Sequence, residues 1–390
     1  MTRIGSLRSV ALLSVAVACG PAVGGPDGSP PAPSPGAPRQ PSPADTSSAK
    51  EAATARFAAL RDALAARLAS SGTPGGALAV VTDGELFADG VGVRRQGQSE
   101  PVTRDTVFSV ASVSKPVTAT ALMSLVQDGH WSLAAHPTTL IPELVVSGPW
   151  PASAMTTEQM LTHSSGYPNY ADETYSPFSD PSPNAISSYL LQYQDLQLDF
   201  EPGSQFTYSN FGYAVLGLLV ERLGQAPYAQ VVDDRVLSPA GMTTATFSHL
   251  EAQARDHAAP HMVVDGAVQT YPLYSTPFFE PFGGLYASVV DLAKFARVLF
   301  PMSGVLEDAT TADMLSGRLG GFMGLGLFLE PSPAGVIASH SGSMGGFLTS
   351  LYVVPSARFA VAVCINADWD ESTTEEIATQ ALASYLGVQP

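Results

Sequence analysis

A chain of 390 residues with 45% hydrophobic and 14% charged side chains can bury one large core or two smaller lobes, which excludes a disordered polypeptide. Its formal net charge of −17 excludes a nucleic-acid or anionic-lipid partner held by surface charge, because both need a basic patch.

Arg3 and Arg8 precede an apolar run from Val10 to Ala18 that has the layout of a secretory signal and is too short to span a bilayer stably. Val15-Ala16-Val17-Ala18 then places small residues directly before Cys19, as in a bacterial lipoprotein processing site. Residues 1–19 are therefore expected to direct export, with lipid attached at Cys19 as a membrane tether. The alternative is ordinary cleavage with Cys19 incidental. The tethered reading puts the folded part in the periplasm or at the cell surface, and the alternative leaves it soluble in the periplasm or secreted. Residues 20–49 are dominated by Pro, Gly, Ser and Ala, cannot repay the entropy of ordering, and read as a disordered linker ahead of a folded domain over 50–388.

From Ala52, the spacing of Phe57, Leu60, Leu64 and Leu68 predicts a helix that Gly72 and Pro74 end. Ala77–Val81 and Leu86–Val93 predict two strands joined by a hairpin turn at Thr82-Asp83-Gly84. Between about 116 and 330, helical segments alternate with turn-rich loops. The Pro- and Ser-rich stretch 171–187 reads either as a flexible loop over a cleft or as a variable surface loop. Strands return at 335–341, 347–355 and 359–366, and a helix closes the pattern near 373–386. Strands at both ends around a helical middle predict an α+β fold: an antiparallel sheet flanked by helices, a mostly helical second lobe, and a cleft between them. Cys364, in the last apolar strand, is expected to be a small buried hydrophobe and not a catalytic thiol.

The chemistry centres on Ser112-Val113-Ser114-Lys115, which sets a hydroxyl three residues before an amine where a helical run begins. Residues three apart share a helix face, so Lys115 lies beneath Ser112. A serine hydroxyl needs a base, and Lys115 is one only when neutral. Val110, Ala111, Val113, Pro116 and Val117 offer apolar surroundings without Asp or Glu, and burial there lowers a lysine pKa. Alone the motif is weak. Two further polar clusters follow, Tyr208-Ser209-Asn210 and His340-Ser341-Gly342-Ser343. Tyr208 is a second candidate base or proton relay, since nearby ammonium groups favour its phenolate. Asn210, pointing the same way from an extended segment, offers its amide to a substrate carbonyl and to Lys115. Gly342 allows a substrate backbone to approach closely, and the Ser112 and Ser343 N–H groups are the expected oxyanion hole.

These clusters come with Pro74-Gly75-Gly76, Leu161-Thr162-His163-Ser164-Ser165-Gly166, Phe200-Glu201-Pro202-Gly203 and Gly283-Gly284-Leu285-Tyr286. Over roughly residues 50–388 the chain thereby resembles the serine β-lactamase and penicillin-binding superfamily, in the branch of class C β-lactamases, D-Ala-D-Ala carboxypeptidases, D-aminopeptidases and family VIII esterases. The resemblance implies a β-lactamase/transpeptidase-like fold and an acyl-enzyme at Ser112. Lys115 and Tyr208 would carry protons, with His340 assisting the relay where many relatives have lysine. Asn210, Ser341 and Gly342 would bind a small-molecule or peptide substrate, without a cofactor. One departure follows Trp131, where an Asp-rich turn is replaced by Leu133-Ala134-Ala135-His136-Pro137.

Penicillins and peptides ending in D-Ala present a carboxylate that a cationic clamp would favour. No Lys or Arg occurs between Arg318 and Arg358, leaving His340, Ser341 and Arg318 to hold an anion. A D-Ala-D-Ala carboxypeptidase or other D-peptidase-like activity, or an esterase, is therefore preferred to an efficient β-lactamase. The alternative of another class is a non-hydrolytic domain that binds or senses β-lactams or cell-wall fragments and acylates once or not at all. His257 and His261 are separated by Pro260 and lack a completing ligand set, so no metal is expected; His163 reads as part of a structural turn. The absence of a G-x-S-x-G motif argues against an α/β-hydrolase elbow. Oligomeric state is left open.

Overall fold

The computed structural model describes residues 43–388 except 83, 170–180 and 193–195. Its strands in chain order are β1 (Gly75–Thr82), β2 (Glu85–Gly92), β3 (Phe108–Ser109), β4 (His261–Val264), β5 (Ala267–Thr270), β6 (Tyr286–Ala287), β7 (Phe328–Ser332), β8 (Gly335–Met344), β9 (Phe347–Val354) and β10 (Phe359–Ile365). Six of them form one antiparallel sheet in the order β2-β1-β10-β9-β8-β7, while β3 pairs with β6 and β4 with β5.

Alternation along the strands builds two different faces. Leu78, Val80, Val361, Val363 and Ile365 pack with Leu60, Leu64 and Leu68 of the Pro43–Ser71 helix and with Ile377 and Leu382 of the Thr373–Leu386 helix. The intervening Ala77, Ala79, Ala360, Ala362 and Cys364 join the larger core, which includes the helices Ser114–Gln127, Asn210–Gly224 and Val289–Val298. Large branched side chains thus face the terminal helices. Small ones face the helical lobe, letting the Val289–Val298 helix pack directly on β1 and β10. Cys364 is fully buried, receives the Thr349 hydroxyl at 3.4 Å, and is pushed up to about 12 by burial.

Three boundaries differ from the sequence reading. The first helix starts at Pro43, so residues 43–49 of the expected linker are helical. Proline suits a helix start because its missing N–H would have had no partner there, and no breaker follows before Gly72. Of the stretch 171–187, positions up to 180 lie outside the described residues, as does Cys19, and the last three open the Ala185–Gln192 helix. Finally, β8 continues past 341 to Met344, because β9 keeps pairing with it, Ser343 opposite Leu348 and Met344 opposite Phe347. On its other side β8 pairs with β7 only as far as Ser339. On that side residues 340–344 therefore present a sheet edge without a strand neighbour among the described residues, and the candidate site is built against it.

Leu64 is fully buried between helix and sheet. Leu64→Ala is expected to cost about 2–5 kcal/mol, read as a lower urea midpoint at unchanged m-value.

Candidate active site

Ser112 sits in a short turn, Ala111–Val113, that leads into the Ser114–Gln127 helix. Ala111 has φ +48°, a region that side-chain-bearing residues seldom occupy. The turn is braced by Ser114, a fully buried residue that sequence reasoning passed over. Its hydroxyl donates to the Ala111 carbonyl at 2.7 Å and accepts the Leu285 N–H at 3.1 Å. Ser112 itself remains partly accessible.

Lys115 is fully buried. Its Nζ lies 3.0 Å from Ser112 Oγ, 2.7 Å from Asn210 Oδ1 and 2.9 Å from the Phe282 carbonyl oxygen. The Tyr208 ring centroid is 4.7 Å from Nζ and that of Phe282 5.6 Å. All three hydrogen-bond partners are neutral, so nothing offsets the loss of hydration, and burial holds the Lys115 pKa well below its ordinary value. The Asn210 and Phe282 oxygens can only accept and therefore use two N–H groups. The third partner, a hydroxyl, can donate into the lone pair of a neutral amine.

The tyrosine motif is arranged differently from the expected extended segment. Ser209 is a helix N-cap, its hydroxyl accepting the Gly212 N–H at 2.9 Å, so Tyr208 precedes the helix and Asn210 is its first residue. Capping by the middle residue of the motif turns Asn210 toward Lys115. His163 supports this corner in a way the sequence did not reveal. It does occupy a turn, at φ +56°, but its Nδ1 accepts the Ser209 N–H at 3.1 Å and its ring lies 4.4 Å from that of Tyr208. A neutral ring then carries its proton on Nε2. Burial first, then Lys115 and His340, hold the His163 pKa well below the usual range.

On β8, His340 is buried and its Nδ1 lies 2.7 Å from the Ser341 carbonyl. Nδ1 must donate there, which leaves Nε2 as an acceptor. Burial, aided by Lys115, lowers its pKa to about 3, so it is neutral wherever the fold is intact near pH 7. Its ring stands 6.2 Å from that of Tyr208. Gly342 has a reason other than the one expected: a Cβ there would lie 2.3 Å from the Val110 carbonyl and 3.0 Å from the Ser112 nitrogen. Glycine thus lets the strand approach the turn that carries Ser112. Ser341 and Ser343 point outward and are exposed.

Arg318, a candidate anion holder, is paired with Asp313 at 2.7 Å and Glu158 at 3.2 Å. His257 meets the Arg255 carbonyl, and His261 is held between Asn366 and Gln96. Among the described residues no group of three His, Cys, Asp or Glu could hold a metal ion.

Comparison with known proteins identifies the family and the fold. Residues 60–384 match the family model described as Beta-lactamase. Penicillin-binding protein 4 of Amycolatopsis lactamdurans is 27% identical over 339 residues, covering 81% of this chain and 87% of that protein. An uncharacterized Mycobacterium tuberculosis protein is 34% identical over 255 residues, 59% of this chain, and the match spans 63% of that relative's length. Among solved structures, the octameric penicillin-binding protein homologue from Pyrococcus abyssi superposes with a TM-score of 0.73 at 25% identity, covering 85% of this chain and 78% of that one. A D-stereospecific amidohydrolase from Streptomyces shares the fold with a TM-score of 0.69 at 21% identity over 85% of this chain and 99% of its own. The architecture is the β-lactamase/transpeptidase-like fold.

Because burial depresses the Lys115 pKa, the unfolded chain binds one proton more than the folded one between the lowered value and about 10.4. Stability contributed by this group must therefore rise with pH across that window and fall as pH drops through it. This group is expected to contribute about 1.4 kcal/mol per pH unit, and Lys115→Met should lose that contribution relative to the unsubstituted chain, as measured by chemical unfolding across a pH series below about 10.

Proposed function

This chain belongs to the Beta-lactamase family, and from the geometry at Ser112 we propose that it is a serine hydrolase working through an acyl-enzyme on uncharged esters or D-configured amides. The observation that carries the reading is the amine of Lys115, 3.0 Å from Ser112 Oγ and buried without a carboxylate partner among the described residues.

Neutral Lys115 takes the Ser112 proton as Oγ attacks the substrate carbonyl, forming a C–O bond and an oxyanion received by the Ser112 and Ser343 N–H groups. The proton passes through Tyr208 to the leaving group as its bond to carbon breaks. Water then attacks the Ser112 ester, giving up a proton along the same relay, and the acid leaves as Oγ–H is restored. His340 Nε2 supplies an acceptor beside this path. Asn210 fixes the Lys115 amine and contacts a substrate carbonyl, while Ser341 and Gly342 line the strand edge along which the substrate lies. The engagement of Arg318 by two carboxylates supports a substrate without a carboxylate at this end, a D-peptidase-like or esterase activity over a β-lactamase. Export and lipid attachment at Cys19 complete the reading, supported by the leader before it. Loss of palmitate incorporation in Cys19→Ser would be the expected outcome, and labelling retained in that variant would refute it.

On p-nitrophenyl butyrate, nitrocefin and a D-Ala-D-Ala peptide, Ser112→Ala should abolish turnover, and Tyr208→Phe should lower kcat about 10²–10⁴-fold. The ester is expected to turn over fastest. Intact mass separates the outcomes: a stable adduct without turnover would replace this reading with a once-acylating sensor.

A further inference from the structure

A cavity of about 270 Å³ opens beyond the end of β8. Met262, Leu273, Phe279, Tyr286, Met344 and Phe347 supply much of its wall, and no charged side chain among the described residues lines it. The Tyr286 hydroxyl donates to the Tyr274 carbonyl at 2.7 Å and accepts the Tyr274 N–H at 3.1 Å, so that ring offers the cavity carbon and no unsatisfied polar atom. The wall is fixed relative to the nucleophile from two sides. Ser109, shortly before Ser112, lines the cavity and pairs with Tyr286. The β4–β5 hairpin is seated on the β8–β9 turn, where a Cβ on Gly346 would lie 2.4 Å from the His261 nitrogen.

The order of residues along β8 decides which part of a substrate reaches this cavity. His340, beside Tyr208, comes before Ser343, and Met344 comes after it. A carbonyl oxygen held between the Ser112 and Ser343 N–H groups has its leaving group toward the proton carriers. Its acyl substituent then points toward Met344.

We propose that this cavity is the acyl-side subsite and that it selects an uncharged aromatic or branched apolar acyl group, of which phenylacetyl is the simplest example. The inference rests on the acyl-enzyme reading of Ser112. The volume is below the roughly 300–1,000 Å³ of a complete ligand site and suits one substituent. A carboxylate on that substituent would lose hydration without meeting a cation.

The test uses the full chain and three esters with one leaving group: p-nitrophenyl acetate, p-nitrophenyl phenylacetate and the p-nitrophenyl monoester of glutarate. Each kcat/KM is normalised to that ester's alkaline hydrolysis. Phenylacetate should exceed acetate by about tenfold or more, and glutarate should not exceed acetate. Met262→Trp, which fills the cavity, should lower the phenylacetate-to-acetate ratio about tenfold. Leu273→Ala, which enlarges it, should shift preference toward a naphthylacetyl ester. Because each variant is read as a ratio on one preparation, partial misfolding does not imitate the effect. Ser112-dependent turnover with a flat ratio, a preference for glutarate, or a ratio indifferent to both variants would overturn the subsite and leave the hydrolase standing. Absence of Ser112-dependent turnover on every ester would overturn both.

Discussion

An amine buried among neutral acceptors is the constraint on which this molecule turns. Lys115 has lost its hydration and, among the described residues, gained no counter-charge, so those residues hold it in place by geometry alone. Each of its partners is in turn held. Asn210 is set by the Ser209 cap and, through its backbone N–H, by Asn169 at 2.8 Å. Phe282 follows Pro281, whose carbonyl takes the Thr118 hydroxyl at 2.5 Å. The helix beneath carries Gly217 where any Cβ would stand 2.1 Å from the Pro281 ring. Ser112 is set by Ser114 and by the approach of Gly342. The active centre is therefore the meeting point of four separately anchored segments, and its rigidity comes from those anchors.

The same economy of charge extends outward. The surface is strongly acidic, yet the walls of the site are rings, amides and hydroxyls. His340 is kept neutral by burial, and Arg318 is neutralised by two carboxylates. With so little fixed charge among its described residues, the site gains little from long-range steering.

What could be read from the sequence was whatever is local. Apolar runs and the turn at Thr82-Asp83-Gly84 made the strands legible, and helical spacing marked Leu60, Leu64 and Leu68 as one stripe, which the structure buries. Ser112 and Lys115 were legible because their contact spans one helical turn. The roles of Ser114, His163, Gly217 and the Phe282 carbonyl were not, because each acts on a partner from a distant segment; the Phe282 carbonyl and Lys115 are 167 positions apart. Gly342 was legible as a close approach, but what it approaches could not be known without the turn at Val110. Asn210 was misplaced because a serine between two functional residues reads as a spacer until its cap is seen. The helix from Pro43 shows the opposite bias, since a Pro- and Ser-rich composition conceals a helix that simply has no breaker.

The sheet takes its first two strands from one end of the chain and its last four from the other, with β1 joined edge to edge to β10. During synthesis, then, a ribosome would already have delivered Ser112, Lys115, Asn210 and Phe282 while the wall that Gly342 provides did not yet exist. Closing so large a loop is entropically slow and non-local. The arrangement around Ser112 and Lys115 must consequently be completed late, so that a nascent or prematurely ended chain carries both residues without the strand wall that encloses them.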